Sequence, residues 1–379
     1  MKICLVCNAR SIHFQRWARY LQIRGHRVKM FSQEFESIRG VEVSKLGAPK
    51  APFPMFKSVK KILKALYRIE RAFNMKRVLK EFKPDIVHAH FLTDSGWIAS
   101  WTGYHPLILT AHGSDVLVHP KHSLIDRMVV RFALHKADVV TIVAQHMKRK
   151  VIELGCAPSK LVHLSNFVNT DHFNAISRER RYRGTRLANP LIICVRGLNP
   201  IYNVRMLIEA VPNVVEEIPD ARFLIIGDGD QKEQLVTLTC QLKVNGFIRF
   251  ISHVPHEELA RYFQQADIYV STSLSDGLSV ALLEAMASGL YPIVTDIPGN
   301  REIIEDGVNG FLIPIGNTEA LGARIIEIIN KPKLFQTAFK KNSDLIRSKY
   351  DEKLVMSKIE ELYMGLSGTK GIRRSFRKE

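Results

Sequence analysis

The residues best suited to chemistry lie in one segment of the second half of the chain, residues 271–289. Two acids, Asp276 and Glu284, lie eight positions apart there, and Gly277-Leu278-Ser279 follows the first of them. The pattern predicts a strand that ends near residue 271, then a polar loop, then a helix that begins near Leu278. The first amides of such a helix have no intrahelical partner and, with the helix dipole, they attract an anion such as a diphosphate.

Each of the two acids allows a binding role and a structural one. Glu284 stands among apolar residues, so its carboxylate needs hydrogen-bond donors, which the two hydroxyls of a ribose would supply. Alternatively, Glu284 could pair with a structural arginine or lysine. The structural alternative for Asp276 is that it serves merely as the N-cap of the helix.

This segment resembles the E-x7-E motif of the retaining GT-B glycosyltransferases of family 4, also called glycosyl transferases group 1. The usual form is E-G-F-G-x-x-x-x-E-A-M-A-x-G-x-P-V. Here the first acid is Asp276 and Ser279 replaces the second glycine, whereas the chain from Glu284 onward fits the motif well. The resemblance implies that Glu284 binds the ribose of a nucleotide sugar. It also implies that Asp276, a candidate catalytic residue, holds the sugar and diphosphate together with the amides of Gly277, Leu278 and Ser279.

A second stretch, residues 196–204, resembles the segment G-R-L-x-x-x-K-G that clamps the donor diphosphate in this family. Here the order is Arg196-Gly197, and Tyr202 takes the position of the lysine. Arg196 is then the cation expected to hold the diphosphate, because a guanidinium can bridge two phosphate oxygens. The alternative is that Arg196 only forms a salt bridge across its own domain.

The first half of the chain supplies a third similar stretch, Ala111-His112-Gly113-Ser114-Asp115, which looks like the family's H-G-x-D loop. The resemblance places His112 near the donor sugar, as the second candidate catalytic residue; a purely structural histidine is the alternative. The family often has a Gly-Gly loop after the first strand, where this chain has His13 and Arg16. These two residues could bind an acceptor's phosphate or hydroxyls, or merely cap and flank a helix. Three further stretches also fit the family: residues 85–90, 166–173 and 297–302.

Two series of alternating strands and helices must position these residues. The predicted strands are Lys2–Cys7, Val28–Phe31, Asp85–Ala89, Leu107–Ala111 and Asp138–Val143, then Leu191–Val195, Arg222–Ile226, Ile248–Ile251, Asp267–Ser271 and Tyr291–Thr295. The alternation predicts an α/β protein with two Rossmann-like, doubly wound parallel sheets, which in the GT-B fold face a central cleft. In such sheets the ligand lies at the carboxyl ends of the strands.

The 379 residues suit two domains rather than one. We expect an N-terminal acceptor domain over 1–180 and a nucleotide-sugar domain over 186–350, with a polar linker at Ser177–Pro190. Residues 351–379 are predicted to form a helix that returns to the N-terminal domain, followed by a basic tail.

The net charge of +18 is concentrated in two segments. Residues 57–83 contain ten bases and two acids, and residues 370–379 contain five bases and one acid, which gives +8 and +4. Apolar residues recur at helical spacing in the first segment, and bases occupy the face between them. The apolar positions are Val59, Ile62, Leu63, Leu66, Tyr67, Phe73, Val78, Leu79 and Phe82. Such a helix suits an anionic membrane surface, although core packing explains the apolar stripe equally well.

Several classes of protein are excluded or disfavoured. Five sparse cysteines do not form a disulfide framework, and Cys4 and Cys7 are predicted to be buried in the first strand. Gly227-Asp228-Gly229 lacks the third glycine and the distant acid of a dinucleotide-binding fingerprint. The basic runs lack interleaved stacking aromatics, which argues against a nucleic-acid partner. No metal cluster, cofactor, signal peptide or membrane span is predicted. We therefore expect a cytoplasmic location, with peripheral attachment to the cytoplasmic face of the membrane.

The function expected from these residues is transfer of a hexosyl or related sugar from a nucleotide-sugar donor to an acceptor hydroxyl. The resemblance implies retention at the anomeric carbon and no metal requirement. The expected acceptor is lipid-linked or an oligosaccharide, as in the biosynthesis of cell-envelope polysaccharide, lipopolysaccharide or glycolipid. A GT-B-fold epimerase acting on a sugar nucleotide is the alternative.

Overall fold

A computed structural model of the protein describes residues 1–46, 57–175, 186–252 and 254–368, with side chains except at 57–67 and 122. The chain forms two compact units. Unit 1 comprises Met1–Leu164 and the chain from Met356 onward, and unit 2 comprises Ser165–Val355. Most of the predicted linker, residues 177–185, lies outside the described residues, as does the basic tail at 370–379.

Unit 1 contains a parallel sheet of seven strands in the order β3-β2-β1-β4-β5-β6-β7. The strands are β1 (Lys2–Val6), β2 (Arg27–Ser32), β3 (Glu42–Lys45), β4 (Ile86–His90), β5 (Leu107–Ala111), β6 (Val139–Ile142) and β7 (Leu161–His163). The central strands β1, β4 and β5 are almost entirely buried, as expected of a parallel sheet covered on both faces. The chain order reverses between β1 and β4, so the carboxyl ends of these two strands form the switch point at which such sheets bind ligands.

Seven helices of unit 1 precede the second unit in the chain: α1 (Ile12–Ile23), α2 (Lys57–Phe82), α3 (Ser95–Trp101), α4 (Ser114–Leu117), α5 (His119–His122), α6 (Leu124–Lys136) and α7 (Met147–Glu153). The described half of α2 buries Ala72, Met75, Leu79 and Phe82, which recur at steps of three and four residues. Phe73 does not belong to this buried stripe, because it is 69% exposed. The side chains from Val59 to Tyr67, which the predicted apolar stripe also includes, are outside those described.

Unit 2 contains a parallel sheet of six strands in the order β10-β9-β8-β11-β12-β13. These are β8 (Leu191–Val195), β9 (Arg222–Ile226), β10 (Ile248–Ile251), β11 (Ile268–Ser271), β12 (Tyr291–Thr295) and β13 (Phe311–Ile313). The helices are α8 (Val204–Glu217), α9 (Lys232–Gln241), α10 (His256–Gln265), α11 (Val280–Ala287), α12 (Pro298–Arg301), α13 (Thr318–Asn330) and α14 (Lys333–Leu345). The last helix, α15 (Glu352–Ser367), begins in unit 2 and lies in unit 1 from Met356 onward. In unit 2 the switch point lies between β8 and β11.

These two sheets confirm the predicted fold class, an α/β protein with two parallel sheets. The cysteine prediction is also confirmed, because Cys4 and Cys7 are buried in and directly after β1. None of the described helices combines the length and the apolar character needed to cross a bilayer. Among the described residues, no group of three or more histidine, cysteine or acidic side chains is arranged to hold a metal ion.

Candidate active site

Arg196 lies at the switch point of unit 2, directly after β8, and its guanidinium is held from several sides. Nε donates to Ser271 Oγ at 3.0 Å, and Nη2 donates to Ser279 Oγ at 2.6 Å. Nη1 lies 2.9 Å from Asp276 Oδ2, and the group sits 5.4 Å from the centre of the Tyr202 ring. The structure therefore brings three other predicted site residues, Tyr202, Asp276 and Ser279, around the Arg196 side chain, which is only 10% exposed.

The helix that follows the loop is capped by Ser279, not by Asp276. Ser279 has an extended backbone, and its Oγ accepts from the backbone N–H of Leu282 at 3.1 Å. The suggestion that Asp276 caps this helix is therefore wrong, and α11 begins at Val280 rather than near Leu278. A serine directly before an apolar run is a typical start of a helix, and this pattern in the sequence could have identified Ser279 as the cap.

Glu284 is buried in α11, with its side chain 3% exposed. His256 Nε2 lies 2.7 Å from Glu284 Oε1 and donates a hydrogen bond to the carboxylate. One partner of the carboxylate is therefore a histidine, a residue type that the sequence analysis did not consider for it. His256 escaped the sequence analysis, although its position at the start of α10, shortly after the carboxyl end of β10, could have indicated it.

Two glycines let the loops of this site pack backbone against backbone. A Cβ at Gly227, where φ is +153°, would lie 1.8 Å from the carbonyl oxygen of Arg196. A Cβ at Gly299 would lie 2.2 Å from the carbonyl oxygen of Gly277. Any side chain at either position must therefore displace the loop that carries Arg196 or the loop that carries Asp276.

Hydrogen bonds between loops fix the same region further. The Asn166 side-chain amide donates to the carbonyl of Leu278 at 2.6 Å. The hydroxyl of Thr272 donates to the carbonyl of Asn203 at 2.8 Å, beside Tyr202. The loop after β11 is thus tied both to the segment that begins unit 2 and to the segment after β8, so the site is held in place before any ligand binds.

A cavity of about 300 Å³ lies at the carboxyl ends of β8, β9 and β10. Arg196, Tyr202 and Gly227 line one part of it, and Ser252 and Leu259 line another. The volume is at the lower end of the range for small-ligand pockets. The position agrees with the rule that ligands of doubly wound sheets bind at the strand carboxyl ends.

In unit 1, His112 directly follows β5, and a buried carboxylate fixes its loop. Asp115 Oδ1 accepts from the amides of His112 at 3.1 Å and Gly113 at 2.9 Å, and Oδ2 accepts from the amide of Leu92 at 2.9 Å. The aspartate of the H-G-x-D stretch thus joins the loop after β5 to the loop after β4. Its role in this structure is to hold the histidine loop in shape.

His112 belongs to a histidine cluster that we define as His88, His90 and His112. Because side chains alternate along a strand, His88 and His90 of β4 share one face, and their rings stack at 4.3 Å. His90 Nδ1 lies 3.0 Å from His112 Nε2, and His88 contacts the Tyr363 hydroxyl and Thr110 Oγ1, each at 2.6 Å. Sequence analysis identified only His112; the His-x-His spacing in a buried strand could have revealed the others.

Burial keeps the histidine cluster neutral. It lowers the pKa of His88 and the pKa of His112 to about 3, and it holds the pKa of His90 well below the ordinary value. The neutral imidazole of His112 can therefore donate one hydrogen bond and accept another near neutral pH.

The predicted acceptor residues lie at the start of α1. The ring of His13 is 6.0 Å from the ring of His112, centre to centre, in an edge-to-face arrangement. Arg16 is half-buried three residues further along the same helix. The structure thus places His13 beside the candidate catalytic histidine, and its role toward an acceptor stays a prediction.

Comparison with known proteins agrees with this architecture. Residues 176–346 match the family model of glycosyl transferases group 1, and residues 2–144 match that of glycosyl transferase 4-like proteins. The chain is 29% identical to the Bacillus subtilis protein designated glycosyltransferase EpsD, over 71% of this chain and 72% of that one. It is 27% identical to the GDP-mannose-dependent alpha-(1-6)-phosphatidylinositol monomannoside mannosyltransferase of Mycolicibacterium smegmatis, over 69% and 72% of the two chains.

Among solved structures, Anabaena HepE in complex with UDP-glucose superimposes with a TM-score of 0.79 at 18% identity. The match covers 96% of this chain and 99% of that one. The two family models together match every strand of the two sheets except β7, and the whole-chain likeness extends through both units. The chain therefore belongs to the glycosyltransferases and has the GT-B fold.

Proposed function

We propose that this glycosyltransferase takes a sugar from a nucleoside-diphosphate sugar and transfers it to a hydroxyl of a lipid-linked or oligosaccharide acceptor. The transfer retains the configuration at the anomeric carbon and uses no metal ion. The product belongs to a cell-envelope polysaccharide or glycolipid.

One observation carries the proposal: Arg196 and the N-terminal end of α11 lie at the same switch point. The guanidinium is hydrogen-bonded to Ser279, the residue that caps this helix. A diphosphate placed there would meet a fixed cation and the positive end of a helix dipole. These groups would stabilise the charge that develops on the diphosphate as the bond to the sugar breaks, which is the task a metal ion performs in other enzymes.

Two relatives support a nucleotide-sugar donor without agreeing on the base. The Anabaena neighbour was solved with UDP-glucose, and the Mycolicibacterium relative is named as GDP-mannose-dependent. The cavity beside Arg196 and Tyr202 is the natural place for the nucleoside of the donor, with its diphosphate directed at α11. The Mycolicibacterium name also contains phosphatidylinositol, which supports a lipid acceptor at an anionic membrane surface.

A panel of nucleotide sugars tests the proposal. UDP- and GDP-sugars are incubated with and without a cell-envelope lipid extract, in the presence of a chelator, and nucleoside diphosphate release is measured. We expect release that depends on lipid and persists with the chelator, and a product whose anomeric configuration by NMR matches the donor's. Loss of activity with the chelator would contradict metal independence. An isomerised nucleotide sugar formed without acceptor would instead indicate the epimerase.

The Glu284→Gln variant should bind the donor nucleotide more weakly. A charged acceptor of ribose hydroxyl hydrogen bonds becomes a neutral one, and bonds to charged groups contribute about 1.5–3 kcal/mol, or roughly 10- to 150-fold in affinity. Calorimetry with UDP and GDP gives the affinity, and the 2′,3′-dideoxy nucleotide is the matched control. The substitution should hardly change binding of the dideoxy ligand; an equal loss for both ligands would remove Glu284 from the ribose site.

The Arg196→Met variant should lose affinity for the diphosphate rather than for the nucleoside. Removing one charge-assisted partner of a phosphate costs about 1.5–3 kcal/mol, so we expect binding of UDP or GDP to weaken roughly 10- to 150-fold. Binding of the corresponding nucleoside should change little. The Ser271→Ala variant, which removes one hydrogen bond to Arg196 and leaves its charge, should have a small effect. Equal losses for nucleoside and diphosphate would mean that Arg196 only supports the fold.

A further inference from the structure

An exposed apolar stripe runs along α6 and continues onto α3 in unit 1. Leu124 is 77% exposed, Ile125 is 61% exposed and Met128 is 70% exposed. Phe132 follows Met128 by four residues, so it lies on the same face of the helix. The ring of Phe132 is 5.7 Å from that of Trp101, which in turn is 5.4 Å from the ring of Trp97. We call these six residues, Leu124, Ile125, Met128, Phe132, Trp101 and Trp97, the apolar stripe.

The apolar stripe is not needed for core packing. The opposite face of α6 buries Val130, Ala133 and Leu134, which attach the helix to the rest of unit 1. Elsewhere on the described surface, large exposed apolar side chains such as Ile23 and Val236 stand singly along the sequence, as is ordinary for a folded protein. The apolar stripe is different, because the exposed side chains of Leu124, Ile125, Met128 and Trp101 adjoin the half-buried rings of Phe132 and Trp97, and such a grouping indicates an interaction surface.

Bases surround the apolar stripe. Arg127 and Arg131 are exposed on α6, on either side of Met128 in sequence, and Lys136 Nζ lies 5.9 Å from the centre of the Phe132 ring. At the other end, Arg68 lies 5.9 Å from the centre of the Trp97 ring, but its side chain is largely buried and pairs with Asp94, so the free positive charge lies along α6. Residues 124–136 contain one acid, Asp126, and three bases, so α6 carries a net charge of +2 with histidine neutral. A partner that fits this surface must be apolar within and anionic at its boundary.

We infer that the apolar stripe inserts into the boundary between headgroups and acyl chains of an anionic membrane. Tryptophan is enriched at that depth, and amphipathic helices with basic flanks lie there in the plane of the membrane. From Leu124 to Phe132 the stripe is about 12 Å long but only about one side chain wide. A stable protein partner covers about 800 Å² on each side, a broad patch rather than a row.

The inference rests on the proposed lipid-linked acceptor and changes the expected membrane contact. In the described half of α2, the stripe formed by Ala72, Met75, Leu79 and Phe82 is buried in unit 1 and cannot enter a bilayer. The bases of α2 can still attract anionic lipid. We therefore expect α6 and α3, not α2, to insert into the membrane.

The test uses vesicles of phosphatidylcholine with an increasing fraction of phosphatidylglycerol, at low and high salt. Sedimentation of the full-length protein gives binding. The variant Leu124→Ser/Ile125→Ser/Met128→Ser removes the aliphatic part of the apolar stripe, and Ile23→Ser, at a residue 80% exposed at the end of α1, is the matched control. We expect tenfold or greater loss of binding in the triple variant, about the effect of withdrawing one or two large aliphatic side chains from the membrane. The control should bind like the unsubstituted protein.

Tryptophan fluorescence reports the contact directly. The protein has three tryptophans, and Trp17 is buried at 4% exposure, so a change on adding vesicles comes from Trp97 and Trp101. We expect a blue shift, together with quenching by lipids brominated on their acyl chains. Trp101→Phe should remove much of the signal while sedimentation persists.

The outcomes separate this inference from the proposed function. Absence of binding to strongly anionic vesicles at low salt would overturn the inference. It would also be overturned if the triple variant bound vesicles as well as the unsubstituted protein and the brominated lipids did not quench the tryptophan fluorescence. Lipid-free dimers that the triple variant abolishes would show that the apolar stripe joins two copies of the chain, which also overturns it. Nucleotide release in the donor panel decides the proposed function independently, because the triple variant changes none of the donor-site residues.

Discussion

Lowering the pH from about 7 to about 5 should reduce the free energy of unfolding of unit 1 by about 4 kcal/mol or more. The cause is the histidine cluster, whose members remain neutral in the folded protein. The pKa values of His88 and His112 are about 3, and the pKa of His90 is also far below its ordinary value, because all three are buried. In the unfolded chain each takes up a proton near its ordinary pKa of about 6.5.

The sign of this effect follows from proton binding. A folded-state pKa below the unfolded value means that the unfolded chain binds more protons, so stability is complete above the unfolded pKa and falls as the pH drops through it. His88 and His112 each contribute about 2 kcal/mol between about pH 7 and about pH 5, and His90 adds a loss of the same sign. Asp115 acts in the opposite sense, because burial raises the pKa of its carboxyl. Because one carboxyl opposes three histidines, the loss of stability from the histidines dominates.

Urea unfolding at the two pH values measures the change. Tryptophan emission follows unit 1 specifically, because Trp17, Trp97 and Trp101 all belong to it. The variant His88→Gln keeps a donor near Thr110 and removes one titrating group, so the loss of unfolding free energy between the two pH values should be smaller by about 2 kcal/mol. An unfolding midpoint that is the same at both pH values would contradict the burial of the cluster.

The His112→Ala variant should lower kcat by about two to three orders of magnitude, the usual cost of removing a placed donor from a reaction centre. The family resemblance assigns His112 to the transferred sugar, so affinity for the free nucleotide should change little.

His90 Nε2 is buried and has no hydrogen-bond partner among the described residues. A buried N–H group without an acceptor is rarer than an unprotonated ring nitrogen without a donor, so Nε2 of His90 is assigned as unprotonated. We therefore infer that the proton of His90 is on Nδ1 and is donated to His112 Nε2. The proton of His112 then sits on Nδ1, available to a sugar hydroxyl.

Single-turnover rates with the donor that the panel identifies, and calorimetry with its nucleoside diphosphate, measure the two quantities separately. His90→Asn retains an amide near the position of Nδ1 and should keep more activity than His90→Phe. Because the pKa of His112 is about 3, kcat should show no ionisation of this group near neutral pH. A His112→Ala enzyme with normal turnover would leave His112 a structural residue.

The sheets were largely predictable from the sequence because buried parallel strands are short apolar runs. The run Leu107–Ala111, for example, has the same limits as β5. Three edge or terminal strands were missed. Glu42–Lys45 has exposed charged residues at both ends and only Val43 as an apolar residue, and Leu161–His163 and Phe311–Ile313 have only three residues each. Such strands are defined by their hydrogen-bonded neighbours, which sequence patterns do not show.

The candidate site was predictable only where its residues are close in sequence. Asp276 and Glu284 are placed by a single motif, whereas the partners of Arg196 come from 75 to 83 residues away. His256 reaches Glu284 from 28 residues upstream, and Tyr363 reaches His88 from 275 residues downstream. These pairings depend on the order of strands in each sheet, so a linear pattern identifies the acids but not the groups that hold them.

The two glycine contacts have a practical consequence for altering donor choice. Because Gly227 and Gly299 press against the carbonyl oxygens of Arg196 and Gly277, they act as spacers that set the separation of the loops. A mutagenesis library that varies them would mostly sample misshapen sites. Diversity is better placed at Tyr202 and Ser252, which line the cavity with side chains. An enzyme redesigned on this basis would keep unchanged the loops proposed to hold the diphosphate, while the surface proposed for the nucleoside is varied.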